Sequence, residues 1–255
     1  MSEEPSPGSV KPSDAAVANA VRELGMLVDE HLPQSFSGST DTWQLLGTAM
    51  IARMADMVES LVLLMGADRD VDGAVLVRVL YEAVVKFCWM SIDPDTNTLR
   101  WQADADYWEH RLRRDLHDYE LERVTEEELA EYAAARQMPP LPDMAIAADK
   151  HWGGRIVGFQ PYSKGRAGMF TLRGYYAPVY RTLSEAVHAR PETLARANID
   201  TSGPWRVIRN GPVEHTFWWP LPVPLFAQAL LVCHEQWGWP DPNRVRAINN
   251  AMYGV

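Results

Sequence analysis

The sequence predicts an all-α fold, a multi-helix bundle carrying a small β-hairpin insertion. Three observations predict it. Apolar residues recur at spacings of three and four along most of the 255 residues, the period of one helix face. Helix start and stop residues flank these runs, as Ser13 and Pro33 do around the first. One stretch alone, Trp205 to Trp218, reads as two short strands around an Asn210-Gly211 turn.

The elements follow in order. Met1 to Pro12 is acidic, Ser/Pro-rich and without an apolar h-region, so a flexible tail over residues 1–12 is expected and no signal peptide. Ser13 opens a helix whose Val17, Val21, Leu24 and Val28 share a face, running to about His31. A loop at Phe36 to Thr40 leads to Thr42 to Met65, which sets Leu45, Leu46, Ala49, Met50, Met54, Met57, Val58, Leu61 and Leu64 at helical spacings, with Gly66 as C-cap. Val71 to Ile92 is apolar on nearly every side and too long for a strand, hence a central buried helix.

Asp95 to Leu121 is a charge-dense helix bearing Trp101, Tyr107, Trp108, Leu112 and Leu116. Thr125-Glu126-Glu127-Glu128 has the form of a capping box and opens a short acidic helix to Gln137. The proline-rich run from Met138 to Pro142 ends it and suits a subdomain joint within a single helical domain over residues 13–255. Phe170 to Ala189 regains helical spacing, with a new start expected at Pro178. Helices at Val223 to Trp237 and Pro242 to Met252 close the chain, and the core is expected from the helices at 42–65, 71–92, 169–189 and 223–237.

Composition excludes several function classes. With 47% hydrophobic and 23% charged residues the chain is an ordinary globular protein. The longest uncharged run, Thr216 to Cys233, holds Pro220, Pro222 and Pro224, so no membrane span is expected. Cys88 and Cys233 lie far apart, each in an apolar run, so neither a disulfide framework nor a structural zinc site is expected, and a cytoplasmic location follows. No phosphate-binding Gly-rich loop, dinucleotide fingerprint or nucleophile elbow is present, which argues against nucleoside-triphosphate hydrolysis and serine hydrolase chemistry. Charge is split: residues 1–149 carry 12 Lys and Arg against 28 Asp and Glu, net −16, while residues 150–255 carry 12 against 6, net +6. Either the two parts attract each other or the basic part meets a polyanion.

Two stripes carry the chemistry. Arg78, Glu82 and Lys86, four apart, line one side of an apolar helix, either as a narrow solvent-facing edge or inside a cleft where arginine holds a phosphate or carboxylate. Tyr180 or Arg181, Ser184 and His188 form a second stripe, on which Arg181 and His188 lie two turns apart. Histidine can take the proton from a ribose 2′-hydroxyl while arginine stabilises the charge growing on the phosphate. The plainer reading has His188 satisfy a helix end and Arg181 simply face water.

Arg181 followed after six residues by His188 resembles the Arg-x(4 to 6)-His pattern of the higher-eukaryote and prokaryote nucleotide-binding (HEPN) domains. Arg111 to His117 and Arg209 to His215 fit the same pattern with five residues between, the first on the charge-dense helix and the second across Gly211-Pro212. The segments Leu76 to Glu82 and Tyr180 to His188 also look like the two signature helices of a bacterial all-helical family of uncharacterised function. The HEPN resemblance implies an all-helical, metal-independent endoribonuclease or RNA-binding effector of a toxin or phage-defence system; a homodimer is expected beside it. On that reading Arg181, His188 and Ser184 form the catalytic set, His188 as general base or acid and Arg181 on the scissile phosphate. Arg78, Glu82 and Tyr180 line the substrate cleft, RNA is the partner, and no cofactor or metal is used.

Two rivals stand beside it. In one, both stripes lock core helices together in a non-catalytic module that binds another protein. In the other, Glu185-x-x-His188, Asp106 with His110, and Glu59 or Glu82 supply a di-metal oxidase site, though a second Glu-x-x-His is missing. The C-terminal tryptophans beside Arg206, Arg209, Arg244 and Arg246 are read as core or oligomer interface, or as platforms for unpaired bases. The eleven methionines are read as gap-filling core.

Overall fold

Helix capping and buried stripes account for most of the architecture. The computed structural model describes residues 12–32, 41–67, 69–115, 125–135, 138–159, 171–187, 199–200, 206–207 and 219–254. In α1 (Asp14–Asp29) the Ser13 hydroxyl accepts from Ala16 N at 3.2 Å, and Val17, Val21, Leu24 and Val28 are all buried. α2 (Thr42–Gly66) starts at Asp41, whose carboxylate accepts from the backbone N–H of Trp43 and Gln44 at 2.9 and 3.3 Å. Gly66 is the last helical residue and not the cap expected of it; Ala67 takes that place at φ −106°, a conformation that needs no glycine.

α3 (Asp70–Met90) is the central rod: Val77, Leu80, Tyr81, Val84, Val85, Phe87 and Cys88 have essentially no exposure. Charged α4 (Pro94–Asp115) contacts α5 (Glu126–Ala135). The expected capping box forms at α5, Thr125 N donating to Glu128 Oε2 at 2.8 Å and Glu128 N to Thr125 Oγ1 at 3.2 Å.

The proline-rich run leads directly into α6 (Leu141–Trp152), a helix the sequence reading left out. Pro142 sits in its first turn, where its missing N–H is harmless, and Met144, Ala145, Ala148, Asp149 and Trp152 form its buried stripe against α3. Next comes a rod we call α7: an α-turn Leu172–Tyr175, a π-helical segment Tyr176–Arg181 and an α-helix Thr182–Val187. The new start expected at Pro178 does not occur. A π turn carries the helix through the proline, which lacks the N–H and would crowd the preceding turn of a regular α-helix.

α8 (Pro222–Trp237) ends at Gly238, φ +77°, and α9 (Pro242–Met252) follows. Around α3 stand α2, α6, α7 and α8, with α1 and α9 packed on each other and on α8. Trp43, Phe87 and Trp237 cluster with ring centroids 5.4 to 6.0 Å apart, and Trp239 stacks on Trp237 at 6.2 Å. These C-terminal tryptophans are core, as is buried Trp219. Arg244 grips Glu30 through both terminal nitrogens at 2.7 and 3.0 Å, so one basic C-terminal residue faces the acidic part of its own chain.

The fold is all-α. The described strand residues are Ile199–Asp200 and Arg206–Val207, paired antiparallel with each other. The hairpin expected across Asn210-Gly211 gains no support: Arg206–Val207 pairs upstream, and Ile208 to Trp218 lie outside the described residues. Outside them too lie residues 1–11 of the expected tail and the last residues of the charge-dense helix, 116–121. Among the described residues no helix is long and apolar enough to cross a membrane, and Cys88 and Cys233 are buried free thiols whose pKa values burial pushes up.

Candidate functional site

The two stripes meet. Arg78 on α3 donates from Nε to the Ser184 hydroxyl at 2.9 Å and from Nη2 to the Tyr180 hydroxyl at 3.0 Å, both residues on α7. The same Nη2 lies 3.0 Å from Glu82 Oε1, one helical turn along α3. The side chains of this ion pair are only 17% and 25% exposed, so it is screened far less than a surface pair. Ser184 in turn donates to the Tyr180 carbonyl.

Tyr180 belongs to the π-helical segment, which stacks it on Tyr176 at 5.3 Å and brings it 6.2 Å from Tyr81. Burial foremost, then the Glu82 charge, raises its pKa above the ordinary tyrosine value, with Arg78 opposing. At neutral pH Tyr180 is therefore a hydrogen-bonding phenol. The π register shows also in Thr182, whose hydroxyl donates to Ala177 O, five residues back, at 3.2 Å.

Asp149 of α6 fixes where α7 begins. Its two oxygens accept from Leu172 N at 2.9 Å and Arg173 N at 2.8 Å, with a further bond from the Thr171 side chain. Burial nonetheless raises its pKa to about 6. Tyr81 fastens the same turn to α3, donating to Leu172 O at 2.8 Å. Sequence reasoning missed Asp149, because an acid on the apolar face of α6 is visible only after α6 itself is recognised.

Beside the cluster opens a cleft of about 370 Å³. Glu82 and Lys86 line it from α3, Asp104 and Trp108 from α4, Tyr180 from α7, and Met138 to Leu141 with Met144 close its apolar side. Lys86 is half-buried and makes no ion pair or hydrogen bond among the described residues, so the second ion pair of a simple Arg-Glu-Lys edge does not form. Trp108 is 47% exposed, with the Arg111 guanidinium 5.1 Å from its ring centre. An ammonium, a phenol, two carboxylates and an indole thus face one space, a set that offers a cation, hydrogen-bonding groups and a flat ring together.

Of the residues singled out from sequence, Arg78, Glu82, Tyr180 and Ser184 come together. Arg181 does not join them; it ends the π segment with its side chain exposed. His188 lies outside the described residues, as do His117, Arg209 and His215 and the side chain of Glu185. Among the described residues no three His, Cys, Asp or Glu gather as metal ligands. In the sequence Lys86 stands out only as part of the Arg78-Glu82-Lys86 stripe, and nothing marks Asp104.

Residues 44–204 match a family of unknown function, DUF5677, which is more than half of the chain. The chain belongs to this family. The DUF5677 segment runs from α2 through Ile199–Asp200, so it holds the Arg78 cluster, the cleft and Arg181, while α1, α8 and α9 fall outside it. No curated protein and no solved structure matches the chain.

Proposed function

We propose that this DUF5677 protein is a HEPN-like, metal-independent endoribonuclease or RNA-binding effector of a toxin or phage-defence system, with the α3–α7 face as its working surface. One observation carries the reading: the half-buried Lys86 ammonium, which has no ion-pair partner among the described residues, shares a cleft with the exposed Trp108 indole and the Tyr180 phenol. A cation for phosphate and an aromatic face for an unpaired base are what single-stranded RNA requires. Arg181 follows Tyr180 directly and is exposed, in a position to contact phosphate. His188 takes the 2′-hydroxyl proton, and Arg78 and Glu82 orient Tyr180 and Ser184. A cytosolic homodimer is part of the same proposal.

The test is incubation of the purified protein with a mixed RNA pool in EDTA, beside Arg181→Ala and His188→Ala variants checked for folding by circular dichroism. Cleavage lost in both variants is the expected result. No cleavage and no RNA binding by the parent protein would sink the proposal.

A second reading, a non-catalytic protein-interaction module, is favoured by how fully Arg78 is engaged in joining α3 to α7. It expects His188→Ala to lower the melting temperature and to abolish no activity.

A further inference from the structure

A separate cavity of about 210 Å³ lies between α8, α9 and the turn at Gly158. Gln228, Asn249 and Arg246 line it among apolar side chains such as Leu231 and Val245. Gln228 is only 6% exposed, in a helix whose neighbouring Leu225, Phe226, Ala227, Ala229, Leu230 and Leu231 are all buried. Its Oε1 has no hydrogen-bond partner among the described residues, and neither has Asn249 Oδ1. Buried amides are nearly always paired, because an unmade bond leaves the full cost of desolvation uncompensated. Folding alone gives no reason for these two.

The walls around them are fixed. Arg246 donates to Val157 O at 3.1 Å and to Asn243 Oδ1 at 2.7 Å. Gly158, at φ +95°, lets its turn close on the cavity; a Cβ there would already touch Arg246 Cδ and Leu231 Cδ1 at 3.6 Å.

We propose that this cavity binds a small, uncharged, planar molecule with a hydrogen-bond donor and acceptor side by side, a nucleobase or carboxamide edge, read by the amides of Gln228 and Asn249. A side-chain amide offers a donor beside an acceptor, and its complement is another edge of that kind, as when Gln or Asn pairs with adenine. The cavity is smaller than the roughly 300–1,000 Å³ that drug-sized ligands fill, so a single or fused ring suits it. No carboxylate lines it, and Arg246 is already bonded on both sides. Both amides, on α8 and α9, lie beyond the segment matched by DUF5677, although Gly158 lies within it, and neither lines the Lys86 cleft, so the proposal stands or falls apart from the RNA reading.

Isothermal titration of the full chain with adenine and with nicotinamide tests it, repeated on Gln228→Leu and Asn249→Ala. The expected result is saturable binding of at least one probe, weakened about tenfold or more in both variants, the loss of roughly one good hydrogen bond. Adenine alone binding identifies a base site, nicotinamide alone a carboxamide site. Absence of saturable binding of both at millimolar concentration overturns the proposal, as does binding unchanged in the variants. If Gln228→Leu does not fold, half-buried Asn249 supplies the comparison through its own variant.

Discussion

The Arg78 guanidinium carbon lies 4.5 Å from the centre of the Tyr180 ring while Nη2 of the same group donates to the Tyr180 hydroxyl at 3.0 Å. One side chain therefore ties α3 to the π-helical segment of α7 by a cation–π contact and a charge-assisted hydrogen bond at once. A lysine has neither the planar fork nor the reach to bond Ser184, Tyr180 and Glu82 together. Arg78→Lys is expected to cost about 2–3 kcal/mol, the worth of one or two hydrogen bonds to a charged group. Urea unfolding measures it, and a midpoint equal to the parent's would refute the lock.

Asp149 makes stability depend on pH in an unusual direction. Its folded pKa of about 6 stands above its unfolded value near 3.8, so the folded state holds the proton more tightly. Its contribution to stability is absent above pH 6 and grows as pH falls from there towards 4. Relative to Asp149→Asn, which does not titrate, the parent is expected to gain about 1.4 kcal/mol between pH 7 and pH 5. Urea unfolding of both proteins at the two pH values checks this. A loss in place of the gain would mean that the backbone N–H donors outweigh burial.

Lys86 is expected to matter for RNA and little for folding, since no partner in the described structure depends on its charge. Lys86→Gln should weaken RNA binding about equally across sequences and lower the slope of log affinity against log salt by roughly one. Filter binding across a salt series reads the slope, with thermal melting as the folding control. An unchanged slope would remove Lys86 from the RNA surface.

Gly47 lets α2 approach α8. A Cβ at this position would stand 2.6 Å from Cη2 of Trp237, inside any permitted contact, and the indole is held among Trp43, Phe87 and Trp239. Gly47→Ala is expected to destabilise the protein by about 1–3 kcal/mol, as overpacking does, despite the better helix propensity of alanine. Thermal melts with near-ultraviolet circular dichroism of the tryptophan bands test it; a variant as stable as the parent would show that the cluster yields.

Local signals carried much of the fold. Ser13 and the stripe Val17, Val21, Leu24 and Val28 announced α1, the Thr125-Glu128 box announced α5, and the long apolar run announced α3, because each is set by residues within one or two turns of each other. α6 escaped because the three prolines Pro139, Pro140 and Pro142 around its start read as a stop, although Pro142 fits a first turn. The π segment escaped because Pro178 has two local solutions, a new helix or a wider turn, and packing against α3 decides between them.

The site divides in the same way. By itself the sequence determined that Arg78, Glu82 and Lys86 share one helix face and that Tyr180 and Ser184 share another, for a helix repeats every three to four residues. The tertiary structure alone decided that Arg78 meets Ser184, 106 residues away, that Arg181 turns outward, and that Lys86 opens onto a cleft with Trp108. The physical reason is that periodicity fixes which side chains face the same way along one helix, whereas which helix they meet depends on how the buried faces of α3, α6 and α7 fit against each other.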